Sequence, residues 1–144
     1  MNWTRFALSS IAGLVAYFVY GGIVTGIFLK KDYMPFPGVY RPADQIMKLF
    51  PFGILTTFLA IIAVAILYAK SRNPDAAWMG GARFGVLLGT FMMFAHVAHN
   101  YVNLNIGRKL ALEMAAAELV QWTIVGIVIG LLYRSTAFYQ RIAH

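Results

Sequence analysis

Four long runs of apolar residues dominate the sequence, and short polar segments separate them. The runs cover residues 6–29, 49–69, 84–104 and 111–133. At about 1.5 Å per residue, a helix over the shortest run is roughly 31 Å long, enough to cross a hydrocarbon core of about 30 Å. The pattern therefore predicts an all-α polytopic membrane protein, a bundle of four transmembrane helices that forms one domain over residues 1–144.

The composition agrees with this prediction. Of the 144 residues, 60% are hydrophobic and 12% are charged, and the charged share is about half the roughly 25% found in soluble domains. A soluble enzyme is therefore excluded. The absence of cysteine also excludes a disulfide-stabilised secreted module, a cysteine-ligated iron–sulfur cluster, a thiol nucleophile and haem attachment through cysteine.

The formal net charge of +7 does not indicate nucleic-acid binding, because all twelve Lys and Arg residues lie outside the apolar runs. A nucleic-acid-binding protein would gather them on one face, so the expected surroundings are a lipid bilayer. The twelve residues divide six and six between the two sides of the membrane, and the positive-inside rule gives no orientation. The basic carboxyl end, with Arg134, Arg141 and His144, favours cytoplasmic termini, and a dual topology stays open.

Glycines recur at four-residue steps in or just before three of the runs. They are Gly22 and Gly26 in the first run, Gly81, Gly85 and Gly89 at the start of the third, and Gly126 and Gly130 in the fourth. Small residues at this spacing lie on one face of a helix and allow backbones to approach closely in lipid. We expect these glycines to pack helices together, either inside the bundle or against a second subunit.

The third and fourth runs are joined by only a few residues, which predicts a tight helical hairpin. Folding about residue 107 places Asn103 level with Glu113, and Glu118 between His96 and His99. Four polar residues of the third run share one helix stripe, namely His96, His99, Asn100 and Asn103. The fourth run adds Glu113, Glu118 and Gln121. Together these residues predict one buried polar site, because ionisable groups in a span face the protein interior.

Several hypotheses explain such a site. The first is an interhelical hydrogen-bond network that sets the register, and the second is a contact with a partner subunit. The third is a ligand site where His96, His99 and Glu118 hold a metal, a haem or a pigment. A proton or cation relay is a further alternative, because histidine ordinarily titrates near neutral pH. No cofactor is required by the sequence, and no catalytic set is recognisable.

Three short motifs give a resemblance to a known group of proteins. They are Tyr40-Arg41-Pro42, the segment 81–85 (Gly-Ala-Arg-Phe-Gly), and Asn100 with Asn103. In these motifs the chain resembles small four-helix bacterial inner-membrane proteins that carry no assigned activity. The resemblance implies a multi-pass protein of the cell inner membrane and transfers no catalytic residue. His96 and His99 are not part of the pattern.

The sequence therefore predicts a small membrane protein without enzymatic activity that serves as a subunit of a membrane assembly, in contact with other subunits or with itself. Two alternatives stay open. One is a small proton- or cation-coupled transporter or channel that acts as a homo-oligomer through its His/Glu site. The other is a haem-, metal- or pigment-binding membrane protein.

Overall fold

The computed structural model describes residues 3–71 and 77–133, which are helical apart from short connections and contain no strand. The helices are α1 (Trp3–Phe28), α2 (Lys30–Tyr33), α3 (Ala43–Lys70), α4 (Ala77–Asn103) and α5 (Arg108–Leu132). All except α2 are long and apolar enough to cross a membrane. The all-α class and the four predicted helices are confirmed, and the basic tail at Arg134, Arg141 and His144 lies outside the described residues.

Two of the long helices contain a π-helical turn, in which each backbone hydrogen bond joins residues five positions apart instead of four. One ends α1 at Val24–Phe28, and the other interrupts α4 at Met93–Ala98. Each π turn accommodates extra residues in the turn, so the side chains beyond it point in different directions from those that a regular helix predicts.

Helix α5 is the centre of the fold. It packs most extensively against α4 and next against α1, whereas α3 packs mainly against α1. The buried apolar core lies in the half of the molecule where α1 and α4 begin and where α3 and α5 end. Its members are Ile61, Val64, Ala65, Tyr68, Trp122, Val125 and Ile129. The other half, which contains the exposed first part of α3, is more open.

The predicted hairpin of the third and fourth helices is confirmed, and glycines form its contact. A β-carbon at Gly85 would lie 2.5 Å from the carbonyl oxygen of Trp122, and one at Gly89 would lie 2.9 Å from Cα of Leu119. Real β-carbons do not approach other atoms this closely, so the two backbones meet only because side chains are absent. On α5, Gly126 and Gly130 meet α4 in the same way.

The register of the hairpin differs from a symmetric fold about residue 107. Symmetry would place Gly89 beside Gly126, but Gly126 meets Gly81 and Gly85 instead. The turn is centred between residues 105 and 106, because α4 ends at Asn103 and α5 begins at Arg108. The glycines of both helices meet in the register that this turn gives.

The glycine pair of the first helix does not pack against the rest of the described chain. No other described atom lies within 4 Å of a β-carbon built at Gly22 or Gly26. Helix α1 instead approaches its neighbours at Gly13, beside Ile61, and at Gly21, beside Gln121. Within the described residues, the five glycines of α4 and α5 lie in the contact between these helices, whereas Gly22 and Gly26 contact no other helix. For Gly22 and Gly26, contact with a second subunit stays the alternative.

Candidate binding site around Glu118

Glu118 is the centre of the polar cluster between the helices. Its side chain is 15% exposed, and Oε1 lies 3.4 Å from Nδ1 of His96 on α4. The other oxygen, Oε2, accepts a hydrogen bond of 2.9 Å from Nε1 of Trp122. Since Trp122 is four residues further along α5, it lies on the same helix face. Both carboxylate oxygens therefore have a polar neighbour.

The pairing of His96 with Glu118 depends on the direction of their side chains. Side chains in a helix lean toward its N-terminus. Because α4 and α5 run antiparallel, the His96 and Glu118 side chains lean toward each other along the hairpin. Two long side chains thus meet although their backbones lie at different levels.

Gln121 connects the cluster to the first helix. It is 8% exposed, and its Nε2 donates a hydrogen bond of 3.0 Å to the backbone carbonyl of Tyr17. The ring of Tyr17 packs against Trp122, with centroids 5.6 Å apart. Gln121 is buried as expected, but its partner is α1 and not the histidines.

A cavity of about 70 Å³ opens on the other side of Glu118, between α1, α2 and α5. It is lined by Gly21, Val24, Thr25, Leu29, Tyr33, Met114, Ala117, Glu118 and Gln121. Most of these side chains are apolar, and Glu118 supplies the formal charge. We refer to this space as the Glu118 cavity.

Tyr33 closes the loop side of the Glu118 cavity. Its ring packs edge-on against Tyr40, with centroids 4.8 Å apart. Burial, with smaller contributions from Tyr40 and Glu118, raises the pKa of Tyr33 to about 12, because each disfavours the charged phenolate. Burial also raises the pKa of Tyr40. The hydroxyl groups therefore stay protonated at neutral pH and can both donate and accept hydrogen bonds.

Glu113 belongs to a separate cluster nearer the turn. Lys109 Nζ lies 2.6 Å from Oδ1 of Asp32 and 3.4 Å from Oε1 of Glu113. Within the described chain, Oε2 of Glu113 is buried without a hydrogen bond. The Tyr40 hydroxyl also approaches Sδ of Met114 at 3.8 Å. These contacts hold α2 and the loop after it against the start of α5.

The remaining predicted site residues on α4 do not reach Glu118. His99 and Asn103 are exposed, and the Asn103 amide donates a hydrogen bond of 3.0 Å to the carbonyl of His99 on its own helix. Asn100 is half-buried. Val97, at 1% exposure, faces the interior instead. The physical reason is the π turn, because the predicted stripe assumed regular α-helical spacing.

The seven residues therefore do not form the single buried polar site that the sequence predicted, at least within one copy of the chain. His96 pairs with Glu118, but its side chain is 48% exposed, and Asn103 forms no contact with Glu113 among the contacts described. Gln121 faces α1. The structure divides the seven predicted residues among an interhelical pair, a contact to α1, a loop clamp and an exposed surface of α4.

The donors present do not fit a protein-held metal ion. Among residues 3–71 and 77–133, no group of three or more His, Asp or Glu side chains could hold one. The predicted set of His96, His99 and Glu118 is therefore not assembled. The Glu118 cavity is also several times smaller than the pockets of roughly 300 Å³ or more that hold drug-sized ligands, so it cannot enclose a haem or pigment macrocycle.

Trp122, Tyr17 and Tyr33 are parts of the site that sequence reasoning missed. The spacing of four residues between Glu118 and Trp122 is a usable signal, because it places both on one face of α5. No such signal connects Tyr33 with Glu118, since they are 85 positions apart in the chain and meet only through the fold.

No protein-family model, curated protein or solved structure matches this chain. The fold itself defines the class, an all-helical protein with four helices that are long and apolar enough to span a membrane.

Proposed function

We propose that this protein is a small integral membrane protein without enzymatic activity that functions as a subunit of a membrane assembly. The four apolar helices support insertion into a bilayer. The polar cluster contains a carboxylate, an imidazole and an indole, but it has no activated nucleophile and no set of metal ligands among the described residues. Lipid and other membrane chains, including further copies of this one, are its proposed partners.

The observation that carries this proposal is the exposed polar surface of α4. His96 lies seven residues before the end of α4, about 10 Å along the helix axis, yet its side chain is 48% exposed. His99 and Asn103 continue this exposed surface toward the helix end. Polar side chains in lipid are costly and normally face protein. A partner helix against α4 would remove them from lipid.

The proposal is tested by photo-cross-linking in native membranes. A photo-reactive amino acid at His99 should give one discrete protein adduct. The same amino acid at Leu59, an exposed apolar position of α3, serves as the matched control and should react mainly with lipid. Mass spectrometry of the adduct distinguishes a foreign subunit from a second copy. Lipid adducts alone at both positions would refute the assembly.

A second candidate function is proton- or cation-coupled transport by a homo-oligomer. It is favoured by the contact of 3.4 Å between His96 and Glu118, because Glu118 lies ten residues into α5, about 15 Å along its axis. In proteoliposomes, Glu118→Gln should then abolish a proton flux that Glu113→Gln preserves. Equal flux in all three proteins and in empty vesicles would exclude this function.

We further propose the cell inner membrane as the location, with both termini in the cytoplasm. The proposal rests on the basic carboxyl end of the sequence. A fluorescent protein fused after His144 should be fluorescent, and an exported phosphatase fused there should be inactive. Activity of both fusions would demonstrate a dual topology instead.

A further inference from the structure

We propose that the Glu118 cavity binds a small organic ammonium ion. The cavity lies between α1, α2 and α5, on the side of Glu118 away from α4. The inference is therefore independent of whether a partner chain covers the polar surface of α4.

The charge of the lining selects a cation. Glu118 is the charged side chain among the described residues that line the cavity, and no Lys or Arg contributes to it. A carboxylate in a mainly apolar space is stabilised by an opposite charge. His96 and Trp122 each contact one carboxylate oxygen, and an ionised carboxylate with about four lone-pair sites can accept further hydrogen bonds from a ligand.

The chemistry of the walls selects an organic cation over a metal ion. Hard metal cations such as Mg²⁺ and Ca²⁺ take six or more oxygen ligands, whereas four of the nine lining residues carry a side-chain oxygen and the others, such as Leu29, are mainly apolar. An alkylammonium ion suits both the charged carboxylate and the apolar part of the lining. Its N–H groups can donate to Glu118, its alkyl part can pack against the apolar residues, and the ring of Tyr33 can add a cation–π contact.

The volume limits the size of the ligand. One water molecule occupies about 30 Å³ in the liquid, and the cavity holds about 70 Å³. A cation with two to four non-hydrogen atoms matches this space, and ethylammonium is a suitable probe. Ethanol has the same number of non-hydrogen atoms without the charge, so it tests whether the charge matters.

Trp122 provides an optical signal for binding, because its indole donates a hydrogen bond to Glu118 Oε2. Trp3 and Trp78 are the other two tryptophans of the sequence. With both changed to Phe in the full-length protein, the emission of Trp122 reports on the carboxylate. Isothermal titration calorimetry on the same sample gives a second measurement that does not depend on the indole.

In this background, ethylammonium chloride should shift the Trp122 emission saturably, whereas ethanol and sodium chloride at equal ionic strength should not. Glu118→Gln should weaken binding at least about tenfold by calorimetry, since about 1.4 kcal/mol corresponds to a factor of ten. Asp44→Asn is the control, because Asp44 is an exposed carboxylate at the start of α3 and lies outside the cavity lining. It should bind like the parent.

A second pair of variants tests the cavity without changing its charge. Ala117→Leu should fill the space and weaken binding, whereas Ala116→Leu, at the exposed neighbouring position, should not. The proposal is overturned if Glu118→Gln retains the parent affinity, if both leucine variants bind like the parent, or if sodium chloride produces the same response as ethylammonium.

Discussion

Gly81 on α4 and Gly126 on α5 face each other so closely that a β-carbon at either position would overlap the backbone carbonyl oxygen of the other. This reciprocal contact continues at Gly85 and Gly89 along one face of α4. Close backbone packing of this kind increases dispersion contacts between helices in lipid, where no hydrophobic driving force joins them. It makes α4 and α5 the best-packed pair of the fold.

The first prediction concerns this contact. Gly81→Leu should destabilise the protein by about 1–3 kcal/mol, because the added side chain forces the two helices apart. Gly22→Leu is the control, since no described atom lies within 4 Å of its β-carbon position. Thermal unfolding in detergent measures both. Equal losses for the two variants would contradict the glycine contact as the basis of the hairpin.

The second prediction is coupling between His96 and Glu118. Their ring nitrogen and carboxylate oxygen are 3.4 Å apart, but His96 is half exposed, so solvent weakens the interaction. The single variants His96→Ala and Glu118→Gln and the double variant should show an interaction energy of about 0.5–1 kcal/mol. Denaturation in detergent gives the three values. Strictly additive losses would show that the two side chains are energetically independent.

Gln121 should contribute more to stability than a typical polar residue of these helices. Its buried amide donates to the carbonyl of Tyr17, so Gln121→Leu removes the link to α1 and leaves a carbonyl without this donor. We expect a loss of about 1–2 kcal/mol. Asn103→Leu, at an exposed position with a bond inside its own helix, should change stability little. A smaller effect at Gln121 than at Asn103 would contradict this interpretation.

The fourth prediction is a loss of stability at alkaline pH through Tyr33. Burial raises the pKa of Tyr33 from 10.0 to about 12 in the folded protein, so the folded state favours the protonated hydroxyl. This contribution is complete below pH 10 and is lost as the pH rises toward 12. The unfolding temperature should fall more steeply between pH 10 and 12 in the parent than in Tyr33→Phe. Parallel curves for the two proteins would refute the prediction.

The sequence by itself determined the helical class and the number of long helices. Runs of more than twenty apolar residues are unfavourable in water and favour the hydrocarbon core of a membrane. There, a single segment can pair its own backbone N–H and C=O groups only by forming a helix. The glycine spacing predicted faces suited to close helix packing, but the same spacing in α1 packs against no described helix, so the structure decided which of these faces meet.

The hairpin in the sequence already placed Glu118 near His96, and only the tertiary structure decided the other polar contacts. The π turn at Met93–Ala98 changes the direction of side chains beyond it, so regular spacing wrongly placed His99 and Asn103 with His96 on an interior stripe. The turn is centred between residues 105 and 106, before the residue 107 that the sequence suggested, and the glycines meet in the register that follows. Tyr33 reaches the Glu118 cavity from α2, far away in the chain. Such contacts depend on how whole helices pack, and local residue spacing carries no information about them.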